Sequence, residues 1–214
     1  MTPLDEDRPP ASPAETLRVI EQQRADAQRK LQPHPMVFLG PYGTAWLVGF
    51  GLLFLRFGPD ERVFVSMPQW VPLTSLFALL IGAAVVSGVW AGSTFRHVRG
   101  RSSVQGTMYG FSWLIAYVGM GVTLSRFNDV LADPEIGELY TGVAVLLTGA
   151  LHIAGAAIWE DRTLFALGVW IIVVNAVGSI LGPGWHSLII SLAGGGGMLL
   201  AGLLLMLRAR RRRT

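Results

Sequence analysis

The sequence predicts an all-α polytopic membrane protein, with six transmembrane helices as three tandem hairpins and a cytoplasmic N-terminal helix. Of its 214 residues, 51% are apolar and 14% are charged, whereas about 25% are charged in ordinary soluble domains. The mean hydropathy is +0.48. So few charges cannot cover so much apolar surface, so lipid must surround most of the chain. This composition excludes cytosolic enzymes, nucleic-acid-binding domains and intrinsically disordered chains.

The region before the first span, residues 1–36, divides into a disordered, proline-rich leader over 1–11 and an amphipathic helix. Ser12 and Glu15 form a capping box, with Pro13 at the first helical position. The apolar face is weak, which favours a helix lying on the inner leaflet. The alternative is docking, through residues 12–32, to a membrane or cytoplasmic protein partner or to the bundle's own inner mouth.

Six segments are apolar and long enough to span a bilayer, which takes roughly 20 residues. They are residues 37–57, 70–91, 107–127, 139–158, 164–181 and 187–207, and together they form a predicted bundle over 37–207. The stretch before the first of them lacks the pattern of a cleaved signal peptide.

Basic residues predict the orientation of these spans. If the N-terminus is inside, inner segments hold 5, 3, 1 and 5 basic residues in chain order, which is 14 of 17. The outer side keeps only Arg56, Arg62 and Arg126, and Arg56 and Arg126 are expected to snorkel or to pair with acidic loops. Because cytoplasmic loops carry the excess of Lys and Arg, both termini are predicted to be cytoplasmic in the plasma membrane. The basic tail, residues 208–214, is then a stop-anchor, and no nucleic-acid partner is predicted.

A repeat indicates the three hairpins. The segment 42–50 recurs at 109–117, an offset of 67, and Gly82 and Gly149 have the same offset. We therefore expect hairpins one and two to superpose, with Trp46 on Trp113 and Gly82 on Gly149. The third copy, around Trp170, is weaker.

Close helix packing in lipid uses small residues, so the candidate packing residues are Gly82, Gly88, Gly149, Gly155, Gly196 and Gly202. A homo-oligomer that uses such glycines as a dimer seam stays open.

Two polar residues inside the spans are candidate functional groups, His152 and Asn175. His152 lies at the depth of Trp46, Trp113 and Trp170. The favoured interpretation is a neutral, structural His152 with one interhelical hydrogen bond, and the alternative is a proton-sensing or cation-accepting pocket. Asn175 is expected to make one interhelical hydrogen bond, worth about 0.6 kcal/mol.

No catalytic, cofactor-binding or metal site is predicted, and no cofactor. The chain has no cysteine, which excludes a thiolate metal site or a cysteine nucleophile. It also lacks the HExxH, GxSxG and GxxxxGK[ST] patterns. The other histidines, His34, His97 and His186, are scattered without metal-ligand spacing.

The three Gly-x5-Gly segments and the recurring tryptophans resemble HdeD-like six-helix bacterial inner-membrane proteins. The basic N-terminal helix, followed by Pro33-His34-Pro35 and Gly40-Pro41-Tyr42-Gly43, is similar to small uncharacterised membrane proteins of high-GC Gram-positive bacteria. The first resemblance implies a stress-associated membrane protein without a known catalytic site, although the N-terminal helix departs from that pattern. It carries over no functional residue.

The expected function is therefore that of a non-enzymatic structural, stress-related or partner-binding module of the membrane. The alternative is a small permease or transporter component. A continuous polar lining through the bundle would favour transport, whereas closed, glycine-packed interfaces would favour a structural module.

Overall fold

The computed structural model describes residues 12–31, 35–95 and 101–211. The chain divides into two compact units, Met1–His34 and Pro35–Thr214. The predicted leader, residues 1–11, and the last three residues of the predicted basic tail lie outside the described residues.

The N-terminal unit contains helix α1, Pro13–Leu31. Its start has the predicted cap, because the Ser12 hydroxyl accepts a hydrogen bond from the Glu15 backbone N–H at 3.2 Å. The described side chains from Ser12 to Gln23 are all exposed.

Six long apolar helices form the second unit and confirm the predicted fold class, since each is long enough to cross a membrane. Spans 1 to 5 are α2, α3, α4, α5 and α6, over Pro35–Arg56, Trp70–Phe95, Arg101–Ser125, Asp133–Trp159 and Arg162–Leu181. Span 6 is composite, with α7 over Trp185–Ile189, a π-helical segment over Ile190–Gly196 and α8 over Gly197–Arg211. The helices extend past the predicted apolar limits by up to six residues, because helical turns continue into polar sequence.

The spatial order of the spans differs from their order in the chain. The most extensive contacts join span 2 to span 1, span 1 to span 6, span 6 to span 5, span 5 to span 4 and span 4 to span 3. Spans 2 and 3 therefore lie at the two ends of this order. The hydrophobic core lies where spans 1, 5 and 6 meet, around Trp46, Phe50, Ile171 and Ile190.

Glycines allow close backbone approach at two helix crossings. Between spans 1 and 6, a Cβ added at Gly43 would lie 3.0 Å from the carbonyl oxygen of Gly195. Between spans 4 and 5, a Cβ at Gly149 would lie 2.9 Å from the carbonyl oxygen of Gly168, and one at Gly168 would lie 2.7 Å from that of Gly149. The two distances between spans 4 and 5 are shorter than real Cβ contacts, and the one between spans 1 and 6 is tighter than most of them. These backbones approach closely because the glycines have no side chain.

The expected packing glycines divide into two groups. Gly149, Gly155 and Gly202 lie against Ile172, Tyr109 and Met36, respectively. A Cβ at Gly82, Gly88 or Gly196 would meet no atom within 4 Å, so these three glycines mediate no helix contact within the described chain.

Gly82 and Gly149, which the repeat makes equivalent, therefore lie in different surroundings. The buried side of α3 carries Leu76, Ala83 and Ser87, and Gly82 lies off that side. Gly149, by contrast, faces span 5. The reason is the spatial order of the spans: span 2 is at one end of it, whereas span 4 lies between spans 3 and 5.

The loop after span 1 folds back on that span. Arg56 donates from Nε to the Met67 carbonyl at 2.9 Å, and its guanidinium lies 4.9 Å from the centre of the Phe57 ring. This carbonyl, and not an acidic side chain, is the partner of Arg56. Gly184, with φ of 84°, lies against the backbone of Gly58 and Pro59, so the loop between spans 5 and 6 contacts the first loop. We call the end of the bundle that carries these loops the outer end.

The π-helical segment of span 6 makes two side-chain contacts with neighbouring helices. The Trp170 indole N–H donates to the Ala193 carbonyl at 3.0 Å, and the Ser191 hydroxyl donates to the Leu47 carbonyl at 2.7 Å. The first bond uses a carbonyl of the segment and the second uses one of its side chains. The segment thus joins span 6 to both of its neighbours.

Candidate functional site

A chain of hydrogen bonds joins spans 4, 5 and 6 near the outer end. Asn175 donates from Nδ2 to the Gly142 carbonyl at 3.0 Å, and its Oδ1 lies 3.0 Å from Nε2 of His186. Since the amide oxygen can only accept, Nε2 of His186 carries the proton and donates it. Asn175 is 7% exposed and His186 is 2% exposed. Three helices are therefore connected through one buried amide.

Local sequence explains why His186 reaches Asn175. Gly182 and Gly184 both have φ of 84°, which favours glycine, and they turn the chain between spans 5 and 6. Gly178 leaves the space that the His186 ring fills, because a Cβ there would overlap the Cδ2 atom of that ring. The imidazole is thus held against span 5, one turn from Asn175.

A cleft of about 630 Å³ lies beside this chain of hydrogen bonds, between spans 4 and 5. We call it the outer cleft. Its volume is within the range of roughly 300–1,000 Å³ that is typical of small-molecule sites. Asn175 and Ser179 supply polar groups from span 5, and four side chains supply apolar surface, Leu131, Leu139, Val143 and Leu146.

Two carboxylates, Glu135 and Glu138, also line the outer cleft. They are three residues apart on α5, so they share one side of the helix. No described residue forms a hydrogen bond or an ion pair with either carboxylate. The cleft lining contains no Lys or Arg, so its charged groups are both acidic.

His152 lies elsewhere, between spans 3 and 4. Its Nδ1 is 2.7 Å from the Thr148 carbonyl on the same helix, and its ring meets Trp113 edge-on, with 5.3 Å between ring centres. The expected interhelical hydrogen bond is therefore replaced by an intrahelical one, because the carbonyl four residues earlier is within reach of the ring. Nearby, the hydroxyls of Tyr109 and Tyr117 donate from span 3 to carbonyls of span 4.

The structure separates the two polar residues that the sequence singled out. Asn175 belongs to the outer chain of hydrogen bonds and makes two interhelical bonds where one was expected. Of the three tryptophans expected at the depth of His152, Trp113 contacts it, whereas Trp46 and Trp170 lie against Gly194 and Gly197 of span 6.

Sequence reasoning missed His186, Glu135 and Glu138. The signal for His186 is indirect: the Gly182-Pro183-Gly184 turn brings the chain back against span 5. Within residues 12–31, 35–95 and 101–211, no three His, Asp or Glu side chains are grouped so that they could hold a metal ion.

Comparison with models of protein families, with curated proteins and with solved structures finds no match for this chain.

Proposed function

We propose that this integral membrane protein is a non-enzymatic structural, stress-related or partner-binding module of the plasma membrane. The observation that carries the proposal is the close packing at the two glycine crossings, Gly43 with Gly195 and Gly149 with Gly168. Each crossing brings backbone against backbone, which leaves no space for a polar path between those helices.

The use of polar side chains supports the same function. Asn175, His186, Tyr109, Tyr117, Trp170 and Ser191 all hydrogen-bond to a neighbouring helix. Interhelical bonds of this kind contribute about 0.6 kcal/mol each in membranes. Their polar groups are engaged in holding the bundle together, which suits a structural role better than acid–base chemistry.

The partner surface that we propose is the segment 12–32, which includes the amphipathic helix α1. Leu17 and Ile20, four and seven residues after Pro13, are exposed on α1, and basic and acidic residues surround them. With both termini cytoplasmic, this helix faces the inner leaflet and cytoplasmic proteins, and nucleic acid is not its partner.

A small permease component is the second candidate, and the outer cleft favours it. The cleft extends from the outer end to Leu146, which is three residues short of the Gly149–Gly168 crossing. Transport along this path would require that crossing to open.

Thiol labelling distinguishes these two functions, because the chain contains no cysteine of its own. We would introduce Val145→Cys, a nearly isosteric change at a side chain that is 2% exposed, into the full chain in native-lipid particles. A water-soluble maleimide should leave position 145 unlabelled, since no water-filled path reaches it. The matched variant Glu138→Cys, at the cleft mouth, should be labelled.

Labelling at position 145 at a rate near that at position 138 would contradict the structural module and favour the permease.

A second experiment identifies the proteins that co-purify in the same particles. The structural and partner-binding function predicts a stoichiometric partner that is lost when Leu17 and Ile20 are both changed to Ser. A co-purifying ATPase would favour the transporter component.

A further inference from the structure

The outer cleft has the dimensions of a site for an elongated molecule. It extends along α5 from Glu135 to Leu146, eleven residues that correspond to about 16 Å of helix. The hydrocarbon core of a bilayer is about 30 Å thick, so the cleft extends from the membrane boundary to about mid-depth. An occupant would have one end near water and the other end among lipid chains.

The chemistry of the lining changes along this length. Glu135 and Glu138 lie at the mouth, and the Ser179 hydroxyl and the Asn175 amide lie against Gly142, about one helical turn deeper. Val143 and Leu146 line the deep end and offer only apolar surface. The charged groups are therefore confined to the mouth and the rest of the lining is uncharged, which suits an amphiphile with a charged head.

The charges decide which amphiphile fits. Two carboxylates without a described partner attract a cation, and a negative group placed beside them would be repelled. The lining offers no Lys or Arg to bind a phosphate or a sulfate. Low dielectric at the membrane boundary strengthens both effects.

We propose that the outer cleft binds an amphipathic organic cation, with its ammonium head at Glu135 and Glu138 and its hydrocarbon chain along Val143 and Leu146. The ligand is a free amphiphile that lacks a phosphate, and it enters sideways from the outer half of the bilayer. This binding site goes beyond the structural function proposed above and does not depend on it.

The test measures binding of labelled decyltrimethylammonium to the full chain in phosphatidylcholine nanodiscs, with empty nanodiscs subtracted. This probe has a permanent charge, so its head does not titrate. We expect saturable binding of one cation per chain. Glu138→Gln and Glu135→Gln should each weaken binding about tenfold, since each removes one of the two attracting charges.

The matched control is Asp129→Asn, which removes an exposed carboxylate from the preceding outer turn without touching the cleft lining. It should leave affinity within about twofold, because exposed charges at a distance are screened by salt. If Asp129→Asn lowers the affinity as much as Glu138→Gln does, the probe is attracted to the acidic surface as a whole. That result would overturn the proposed site.

A competition experiment on the wild-type protein tests the requirement for a positive charge without any substitution. Decyl sulfate and decanol share the tail of the probe but not its charge, and neither should displace it. Displacement by either compound at the concentration of the probe would show that the cleft binds only the hydrocarbon chain, and it would overturn the proposal. If the probe fails to bind only in discs that contain phosphatidylethanolamine, this membrane aminolipid occupies the cleft. That result would contradict a free ligand without a phosphate.

Discussion

His152 meets its hydrogen-bonding requirement within its own helix. A carbonyl can only accept, so Nδ1 of the ring carries the proton that it shares with Thr148, 2.7 Å away. The other ring nitrogen has no hydrogen bond among the described residues. Trp113, Tyr109 and Tyr117 line this part of the interface between spans 3 and 4, and none of them carries a charge near neutral pH.

We therefore expect His152 to stay neutral and His152→Gln to leave folding and pH response unchanged between about pH 5 and 7.5, the window in which a free histidine titrates. A second proton would place an unpaired charge among apolar groups, which is costly in a membrane. Tryptophan fluorescence during a pH titration checks this, because the Trp113 ring is adjacent. The variant Trp113→Phe identifies the signal that comes from this ring.

A fluorescence transition near pH 6 that occurs in the wild type and not in His152→Gln would contradict this expectation. It would make His152 a proton sensor, the alternative that the sequence also allowed.

Of the two hydrogen-bonded residues Asn175 and His186, only Asn175 was predictable from the sequence. An amide inside a span is recognisable because polar groups are rare there, so Asn175 could be singled out. His186 follows a glycine-rich turn at the predicted boundary, where a histidine is unremarkable. Its burial depends on the empty space at Gly178, which belongs to the three-dimensional packing and not to the local sequence.

Among the helices, the crossing of spans 4 and 5 depends on Gly149. We expect Gly149→Ala to lower the free energy of unfolding by about 1–3 kcal/mol, the usual cost of overpacking. The added Cβ would lie 2.5 Å from Cγ1 of Ile172 and 2.9 Å from the Gly168 carbonyl oxygen, so one of the helices must shift. Reversible unfolding in mixed micelles measures the change.

Gly82→Ala is the matched control for this prediction, since it sits in the repeat position equivalent to Gly149 and its Cβ would meet nothing within 4 Å. Alanine favours helix over glycine by up to about 1 kcal/mol, so stability should be unchanged or slightly higher. Equal losses from the two substitutions would contradict the packing described here and restore the equivalence of the two hairpins.

The limits of the helices were predictable, but the sides that they bury were not. Long apolar runs are a local signal, and they placed each span within about two turns. In a soluble helix, an apolar stripe would also indicate the buried side. In a membrane the lipid-facing side is as apolar as the packed side. The sequence pattern therefore could not show that Gly149 is packed against another helix and that Gly82 is not.

For the molecule as a whole, the asymmetry of basic residues predicts that both termini are cytoplasmic. Reporter fusions after Gly58 and Pro134 should therefore be outside, and fusions after Arg99 and Asp161 should be inside. The reason is that 14 of 17 basic residues fall on one side of the six spans. Alkaline phosphatase and fluorescent-protein reporters together measure both locations, and an inverted pattern would contradict the orientation.

The outer cleft and the order of the spans in space belong to this largest scale, and neither was predictable. Both depend on which helices meet, and the repeat in the sequence indicated only neighbours along the chain. Glu135 and Glu138 read as ordinary loop acids until span 5 is placed beside them. The separation of charged and uncharged lining is thus a property of the assembled pair of helices.

The contact between span 1 and span 6 has a consequence for biosynthesis. Gly43 enters the membrane early, but its partner Gly195 is translated about 150 residues later, which takes roughly 8–30 s at 5–20 residues per second. During that interval the backbone of span 1 near Gly43 and Leu47 has only lipid or the insertion machinery beside it. Nascent chains that stop before Ser191 should therefore retain a helix face on span 1 without its protein partner.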